Sequence, residues 1–354
     1  MRLNANADVN VSEQALKNIH WDRLEEYLRK ELSMPSEEMK VKQFTAGYSN
    51  LTFLIQCGQR GMVLRRPPFG YVPPKAHDME REFKILSKLH PVFSRAPKPY
   101  LFEFDTNIME KHFYVMERKE GVVIDERIPD NYLETEGDRE KISCAVIDTL
   151  VDLHSVDYKK AGLGDLGRPE GFLKRQVESW IKRYEKSKVK DFTIVNELVP
   201  WLLNHIPSSP HPSIIHNDYK MNNMMFSSAD PSEIVGIFDW ELCTVGDPLI
   251  DLGSTIVYWK EKGDPDIRLT AVTDQKGFLS RREMIERYAR KSGIDTTNIQ
   301  YYLVLAFFRL AVILQQLYYR WDIGELKDNR VKDLYVGIVN LLELAKSTKD
   351  NKLI

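Results

Sequence analysis

A β-patterned island at residues 214–238 interrupts a region otherwise patterned for long helices. Its apolar residues come in three short runs, Ile214-Ile215, Met224-Met225-Phe226 and 234–238. The polar insert His216-Asn217-Asp218-Tyr219-Lys220-Met221-Asn222-Asn223 splits the first run from the second. Runs this short and this often broken cannot make a helical stripe of period 3.6, so they read as strands whose ends hold the insert. Asp218 and Asn223 stand five positions apart, and the third run delivers Asp239 sixteen residues after Asn223.

The flanking sequence divides into a β-rich beginning and a helical remainder. Leu16, Ile19, Leu24, Leu28 and Leu32 are spaced for an amphipathic helix or helix pair over 11–32, with Ser12 as its N-cap. The β-type runs 51–57 and 62–65, separated by Gly58 to Gly61, predict a hairpin. Four prolines and a glycine within 67–74 exclude a regular element there. A helical stripe returns over 78–89 and is closed by Pro91, and strand signals recur at 101–104 and 112–116. Beyond Gly121 helices are predicted at 141–156, 171–186, 196–203, 281–291, 300–321 and 331–346, with Gly293 ending the fourth.

The chain's 354 residues exceed one ordinary core, so two subdomains or one large domain with a cleft are expected. With 50 basic against 52 acidic side chains, a net charge of -2 provides no overall field for a nucleic acid or a membrane surface. Cys57, Cys144 and Cys243 are irregularly spaced and suggest neither a disulfide framework nor a zinc site. They fit a reducing compartment, and residues 1–14 lack the apolar run of a signal peptide, so a cytoplasmic location is expected. Residues 301–319 are apolar enough to resemble a membrane span, but a central arginine, Arg309, costs at least ~2.5 kcal/mol in a bilayer. A buried core helix is the expectation.

The island's polar residues suit one chemistry. A transferring phosphoryl group spreads negative charge over its oxygens and needs divalent cations and an oriented nucleophile. Asn223 and Asp239 offer an amide oxygen and a carboxylate, hard ligands for Mg2+, and Asp218 can accept a hydrogen bond from an attacking hydroxyl. Asp and Asn are also common in surface turns, so the signal lies in the combination.

Residues 216–223 resemble the H-x-D-x-x-x-x-N catalytic loop of the aminoglycoside phosphotransferase and choline kinase superfamily, and Asp239 falls where such enzymes place the D-F-G aspartate. The resemblance implies an α+β, two-lobed protein-kinase-like fold. Its small β-rich N-lobe, 1–118 with the leading helix, would bind the nucleotide. A larger, mainly helical C-lobe, 119–354, would carry the catalytic loop and the acceptor-binding helices. Asp218 would be the catalytic base or substrate-orienting residue, Asn223 and Asp239 the Mg2+ ligands, and His216 a brace for the loop. Lys220 stands where protein kinases carry a lysine that contacts the γ-phosphate.

By the same resemblance, Ala46-Gly47-Tyr48-Ser49-Asn50 would fold over phosphates, Gly47 allowing backbone approach and Ser49 donating a hydrogen bond. Met62-Val63-Leu64-Arg65 occupies the V-A-I-K strand, with Glu82 as the partner of its last residue. Here arginine replaces lysine, and of Arg65 and Arg66 the alignment with the strand end favours Arg65. Residues 114–121 resemble the hinge between lobes, with Met116 behind the adenine and the Glu117 carbonyl and Lys119 N–H bonding it.

Further segments are similar to phosphotransferases found alone in bacteria and fused to acyl-CoA dehydrogenases in animals: Leu64-Arg65-Arg66-Pro67-Pro68, Gly171-Phe172-Leu173-Lys174-Arg175-Gln176-Val177 with Trp180, Asp239-Trp240-Glu241, and Gly246-Asp247-Pro248-Leu249-Ile250-Asp251. That similarity implies a Mg2+-dependent kinase using ATP or GTP and a small-molecule hydroxyl acceptor, in particular a hydroxy acid or hydroxyacyl thioester. No nucleic-acid partner and no membrane span are expected, and nothing in the sequence sets the oligomeric state. Arg175, Gln176 and Trp180 would line the acceptor cleft or pack the lobe, Asp251 would anchor the catalytic loop, and His154 would be structural. The alternatives are a nucleotide-binding pseudokinase, supported by the missing lysine, and an aminoglycoside or choline-type kinase. A protein kinase is disfavoured, since Asp239 is followed by Trp-Glu and no A-P-E segment follows.

Overall fold

The structure, a computed structural model, describes residues 19–44, 50–68, 78–130, 132–269 and 271–351. The expected Ser12 cap, the Gly47 turn with Ser49 and most of the proline-rich loop lie outside the described residues. Two compact units are present. One comprises Met1–Asp125, Ala161–Leu163 and Met221–Cys243, and the other Glu126–Lys160, Gly164–Lys220 and Thr244–Ile354.

The first unit is built on a five-stranded antiparallel sheet of order β1-β2-β3-β5-β4. The strands are β1 (Met39–Phe44), β2 (Leu51–Cys57), β3 (Arg60–Arg66), β4 (Pro99–Glu103) and β5 (Phe113–Glu117). The expected hairpin is β2–β3, in a register that sets Phe53 opposite Leu64 and Ile55 opposite Met62. All four are fully buried, so a one-residue slip would turn the entire apolar set outward. Helix α1 (Trp21–Leu32) adds Leu24 and Leu28 to the same core. Strand β1 is absent from the sequence prediction because it is an edge strand. Only Met39, Val41 and the flanking Phe44 are apolar in it, and Lys40 and Lys42 alternate outward, as edges require.

Helix α2 (Met79–Leu89) starts where Asp78 accepts a hydrogen bond from Arg81 N at 2.9 Å, a charged N-cap. A single-turn helix, α3 (Thr106–Met109), links β4 to β5. The island's second and third runs form the antiparallel pair β7 (Met224–Phe226) and β8 (Ile234–Ile237), and Val122 bridges to Phe226.

The second unit is mainly helical. It contains α4 (Glu136–His154), α5 (Phe172–Lys186), α6 (Val195–Asn204), α7 (Leu249–Tyr258), α8 (Arg281–Ser292), α9 (Ile299–Asp322) and α10 (Leu334–Lys349). Two short strands, β6 (Ser213–Ile215) and β9 (Thr244–Gly246), pair antiparallel. Helix α4 begins five residues earlier than periodicity indicates, because a capping box between Thr135 and Asp138 starts it inside a polar stretch. Gly293 ends α8 in the left-handed conformation, φ 69°, as expected. Helix α7 escaped prediction: every residue from Leu249 to Val257 is buried, so no polar face marks its period. Helix α9 is the one described helix long and apolar enough to cross a membrane, yet 72% of its apolar window is buried inside the protein. It packs against α5, α6, α7 and α10, as a core helix does.

Candidate active site

In the second unit the chain leaves β6 into the insert and is fixed by a single carboxylate. Asp251, on the first turn of α7 and fully buried, accepts hydrogen bonds from His216 N at 2.6 Å and Asn217 N at 2.7 Å. Asn217 takes a left-handed conformation, φ 66°, which asparagine tolerates better than most residues, and so turns the chain sharply before Asp218. The anchoring role expected of Asp251 is present in these two bonds. Burial by itself would raise the Asp251 pKa, but His154, His216 and the backbone N–H donors outweigh it and hold the carboxyl below its ordinary value. His154 is buried, 2.7 Å from the Tyr288 hydroxyl and 3.4 Å from Asp251, which makes it part of the framework.

His216 is fully buried and accepts from Asp218 N at Nδ1, 3.2 Å away. With Nδ1 accepting, a neutral ring carries its proton on Nε2, the state suited to a brace. Tyr219 ties the loop downward by donating to Val146 O at 2.9 Å, and Thr255 donates to Tyr219 O at 2.9 Å. Asp218 is left with its side chain 21% exposed, on a loop whose neighbours are all bonded. Lys220 Nζ is 3.0 Å from Asp218 Oδ2.

The first unit holds the other predicted residues. Arg65, at the end of β3, places Nη1 2.5 Å from Glu82 Oε1 on α2 and Nη2 3.7 Å from Asp239 Oδ1. Arg66 instead points to the opposite face, where Nε donates to Pro67 O at 3.1 Å, so Arg65 is the arginine that meets the glutamate. Burial disfavours the charge on Arg65, but Glu82, Tyr114, Asp239 and Glu241 more than offset it and hold the guanidinium protonated. Asp239 sits in the left-handed region, φ 69°, directly after Phe238, whose N–H donates to Asn223 O at 2.9 Å. That backbone bond joins the stretches carrying Asn223 and Asp239.

Glu241 completes this cluster and was not foreseen beyond its place in Asp-Trp-Glu. Its Oε2 and Glu82 Oε2 are buried and have no hydrogen-bond partner among the described residues. Burial, then the charges of Asp239 and Glu82, push the Glu241 carboxyl up to about 7. Three carboxylates thus surround one guanidinium, since Arg81 spends both terminal nitrogens on the carbonyls of Glu241 and Cys243 at 2.6 Å. Ionising all three at once, with Glu82 buried and Asp239 and Glu241 half-buried, is costly unless a cation shares the charge. Asn223 and Asp239 are hard oxygen donors, and the cluster therefore fits Mg2+. No described group of three His, Cys, Asp or Glu could enclose a metal alone.

Residues 114–121, expected to bind the base, are held by bonds within the first unit. Met116 is buried on β5 opposite Val63, Glu117 N donates to Lys98 O at 2.8 Å, and Lys119 Nζ reaches Glu117 Oε2 and Ser94 O, both at 3.0 Å. Of the residues expected to line an acceptor cleft, Arg175 donates to the carbonyls of Glu170 and Arg168 in the turn that precedes its own helix.

The model of the phosphotransferase enzyme family matches residues 40–285. The chain belongs to that family. Its fold is α+β and protein-kinase-like, a small antiparallel sheet followed by a mostly helical remainder. A Ralstonia eutropha protein classed provisionally as an aminoglycoside phosphotransferase superposes with a TM-score of 0.80 at 28% identity, covering 93% of this chain and 98% of that one. Choline kinase from Cryptosporidium parvum gives a TM-score of 0.65 at 13% identity over 94% of this chain and 98% of its own, a likeness of fold. Among curated relatives, human acyl-CoA dehydrogenase family member 11 is 34% identical over 330 residues, covering 90% of this chain and 41% of the relative. Mouse acyl-CoA dehydrogenase family member 10 is 33% identical over 312 residues, covering 86% of this chain and 29% of the relative. The chain therefore spans about two fifths or less of the length of these relatives.

Proposed function

We propose that the protein transfers the γ-phosphate of ATP or GTP, accompanied by Mg2+, to a hydroxyl of a small molecule. The observation that carries this reading is the cluster in which Asp239, Glu82 and Glu241 outnumber the single guanidinium of Arg65, in the unit that also contains Asn223. A phosphotransferase family and an ADP-bound relative of the same fold, spectinomycin phosphotransferase, support it.

In this reading Asn223 and Asp239 hold the Mg2+, whose chemistry is to neutralise charge on the transferring phosphoryl group. Arg65, kept charged and oriented by Glu82, contacts a phosphate through its planar fork. Met116, Glu117 and Lys119 cradle the base. Asp218 accepts the proton of the attacking hydroxyl or orients it, on a loop that His216 and Asp251 keep from moving. Lys220, paired with Asp218, is the residue proposed to contact the γ-phosphate. The relatives are named as acyl-CoA dehydrogenases, and the acceptor class proposed beside that name is a hydroxy acid or hydroxyacyl thioester.

The test is ADP release by the purified protein against a broad panel of hydroxyl compounds, with and without Mg2+. Metal-dependent release stimulated by an acceptor is the expected result. Nucleotide binding with no ADP formed from any acceptor would instead establish a pseudokinase.

A further inference from the structure

Helix α9 carries a cation that core packing does not explain. Arg309 is half-buried, and its Nη2 donates to Asn217 O at 2.7 Å. Among the described residues it forms no ion pair, so of five N–H donors one is used, on a neutral acceptor. Burial pulls its pKa below the ordinary arginine value, against the opposing influence of Tyr258, Asp218 and Asp251. Asp251 in particular is committed to the backbone of the catalytic loop.

The surroundings add to the positive charge. The Arg309 guanidinium lies 5.2 Å from the ring centre of Trp180 on α5, and that of Arg183, one turn along α5, lies 4.4 Å from the same ring. Lys220 Nζ lies 5.3 Å from the ring centre of Tyr258, the last residue of α7. The Tyr258 hydroxyl has no hydrogen bond among the described residues, and the groups acting on it are Lys220, Asp218 and Arg309. Three cations, an unused phenol donor and an aromatic wall thus gather around the loop that presents Asp218. Lys220 is paired with Asp218, whereas neither Arg309 nor Arg183 has an ion pair among the described residues.

We infer that Arg309, Tyr258 and Arg183, against the face of Trp180, form an anion-binding subsite for the phosphate acceptor. The inference rests on the phosphotransferase reading and narrows it: the acceptor carries a carboxylate or a comparable anion at one end and its reacting hydroxyl at the other. Arg309 and Tyr258 hold the anion by charge-assisted hydrogen bonds, and the hydroxyl is left to Asp218. A polycationic acceptor is repelled by the same groups, so selectivity comes as much from exclusion as from attraction.

The experiment measures ADP release with matched acceptors: straight-chain hydroxy acids, the same hydroxy acids as neutral amides, and an aminoglycoside as the cation. The wild-type protein is expected to prefer the acids over their amides by roughly 10–100-fold in kcat/KM, the scale of one charge-assisted contact. Arg309→Met should bring that ratio close to one while the KM for nucleotide stays unchanged. A merely structural arginine would instead lower all acceptors alike. Arg183→Gln, an exposed substitution, should reduce the ratio by a few-fold, and Tyr258→Phe should raise KM for the acids alone, so the inference does not hang on one variant's folding. Better turnover of amides or the aminoglycoside by the wild type, or a ratio unmoved in Arg309→Met and Arg183→Gln, overturns the subsite and leaves phosphotransfer standing. If no acceptor of any charge class releases ADP, the phosphotransferase reading fails and the subsite falls with it.

Discussion

Replacing Asp251 by asparagine isolates what holds the loop that carries Asp218. The native carboxylate receives two short backbone N–H bonds, 2.6 Å from His216 and 2.7 Å from Asn217, at a site with no solvent. Asparagine has nearly the same shape but one acceptor oxygen, so its amide NH2 faces one of two N–H groups. The substitution removes one charge-assisted bond, about 1.5–3 kcal/mol, and leaves a buried donor unsatisfied, about 1–3 kcal/mol more. Taking the middle of both ranges, Asp251→Asn should lose about 4 kcal/mol, which for a chain of this size lowers Tm by roughly 5 °C. Urea and thermal denaturation followed by circular dichroism measure it. The native carboxyl titrates below its unfolded value of 3.8, so its contribution is complete above that value and is lost as pH falls through the folded pKa. The stability gap between wild type and variant should therefore be constant from neutrality to about pH 4 and shrink below it. A loss under 1 kcal/mol, or a gap that does not narrow in acid, would refute the assignment of Asp251 as the ionised anchor.

Three further outcomes follow from the geometry. Asp218→Ala should lower kcat on the order of 10²–10⁴-fold while nucleotide binding by calorimetry persists; turnover at the wild-type rate would remove Asp218 from the chemistry. Asp239→Ala should weaken binding of nucleotide in the presence of Mg2+ more than in its absence, and an unchanged metal dependence in the same titration counts against a ligand role. Gly121→Ala would place a Cβ 2.2 Å from the Phe226 carbonyl oxygen, beside the Val122–Phe226 bridge, and should cost about 1–3 kcal/mol in urea denaturation; a variant as stable as wild type would mean that the bridge gives way freely.

The sequence alone determined the elements whose pattern is local. The β2–β3 hairpin, α2 with its Asp78 cap, the Gly293 stop and the broken island around Asp218 are all written in spacing, turn residues and caps, because each depends on neighbours within a few positions. The residues proposed to carry the chemistry stand out in the sequence for the same reason: Asp218, Asn223 and Asp239 keep a fixed separation along one chain.

Tertiary structure decided what depends on partners distant in sequence. Arg65 and Arg66 are indistinguishable as letters, and only the pleat of β3 sends Arg65 to Glu82 and Arg66 to the other face. The fold places Glu241 beside Asp239 and Glu82, which with burial raises its pKa, and burial is not visible in a single segment. Arg309 carried a signal, a charge inside an apolar helix, yet its meaning waited on Trp180, Asn217 and Tyr258, which three other stretches of chain bring to it. Charges act through space over several ångströms, whereas sequence patterning records only what is near along the backbone.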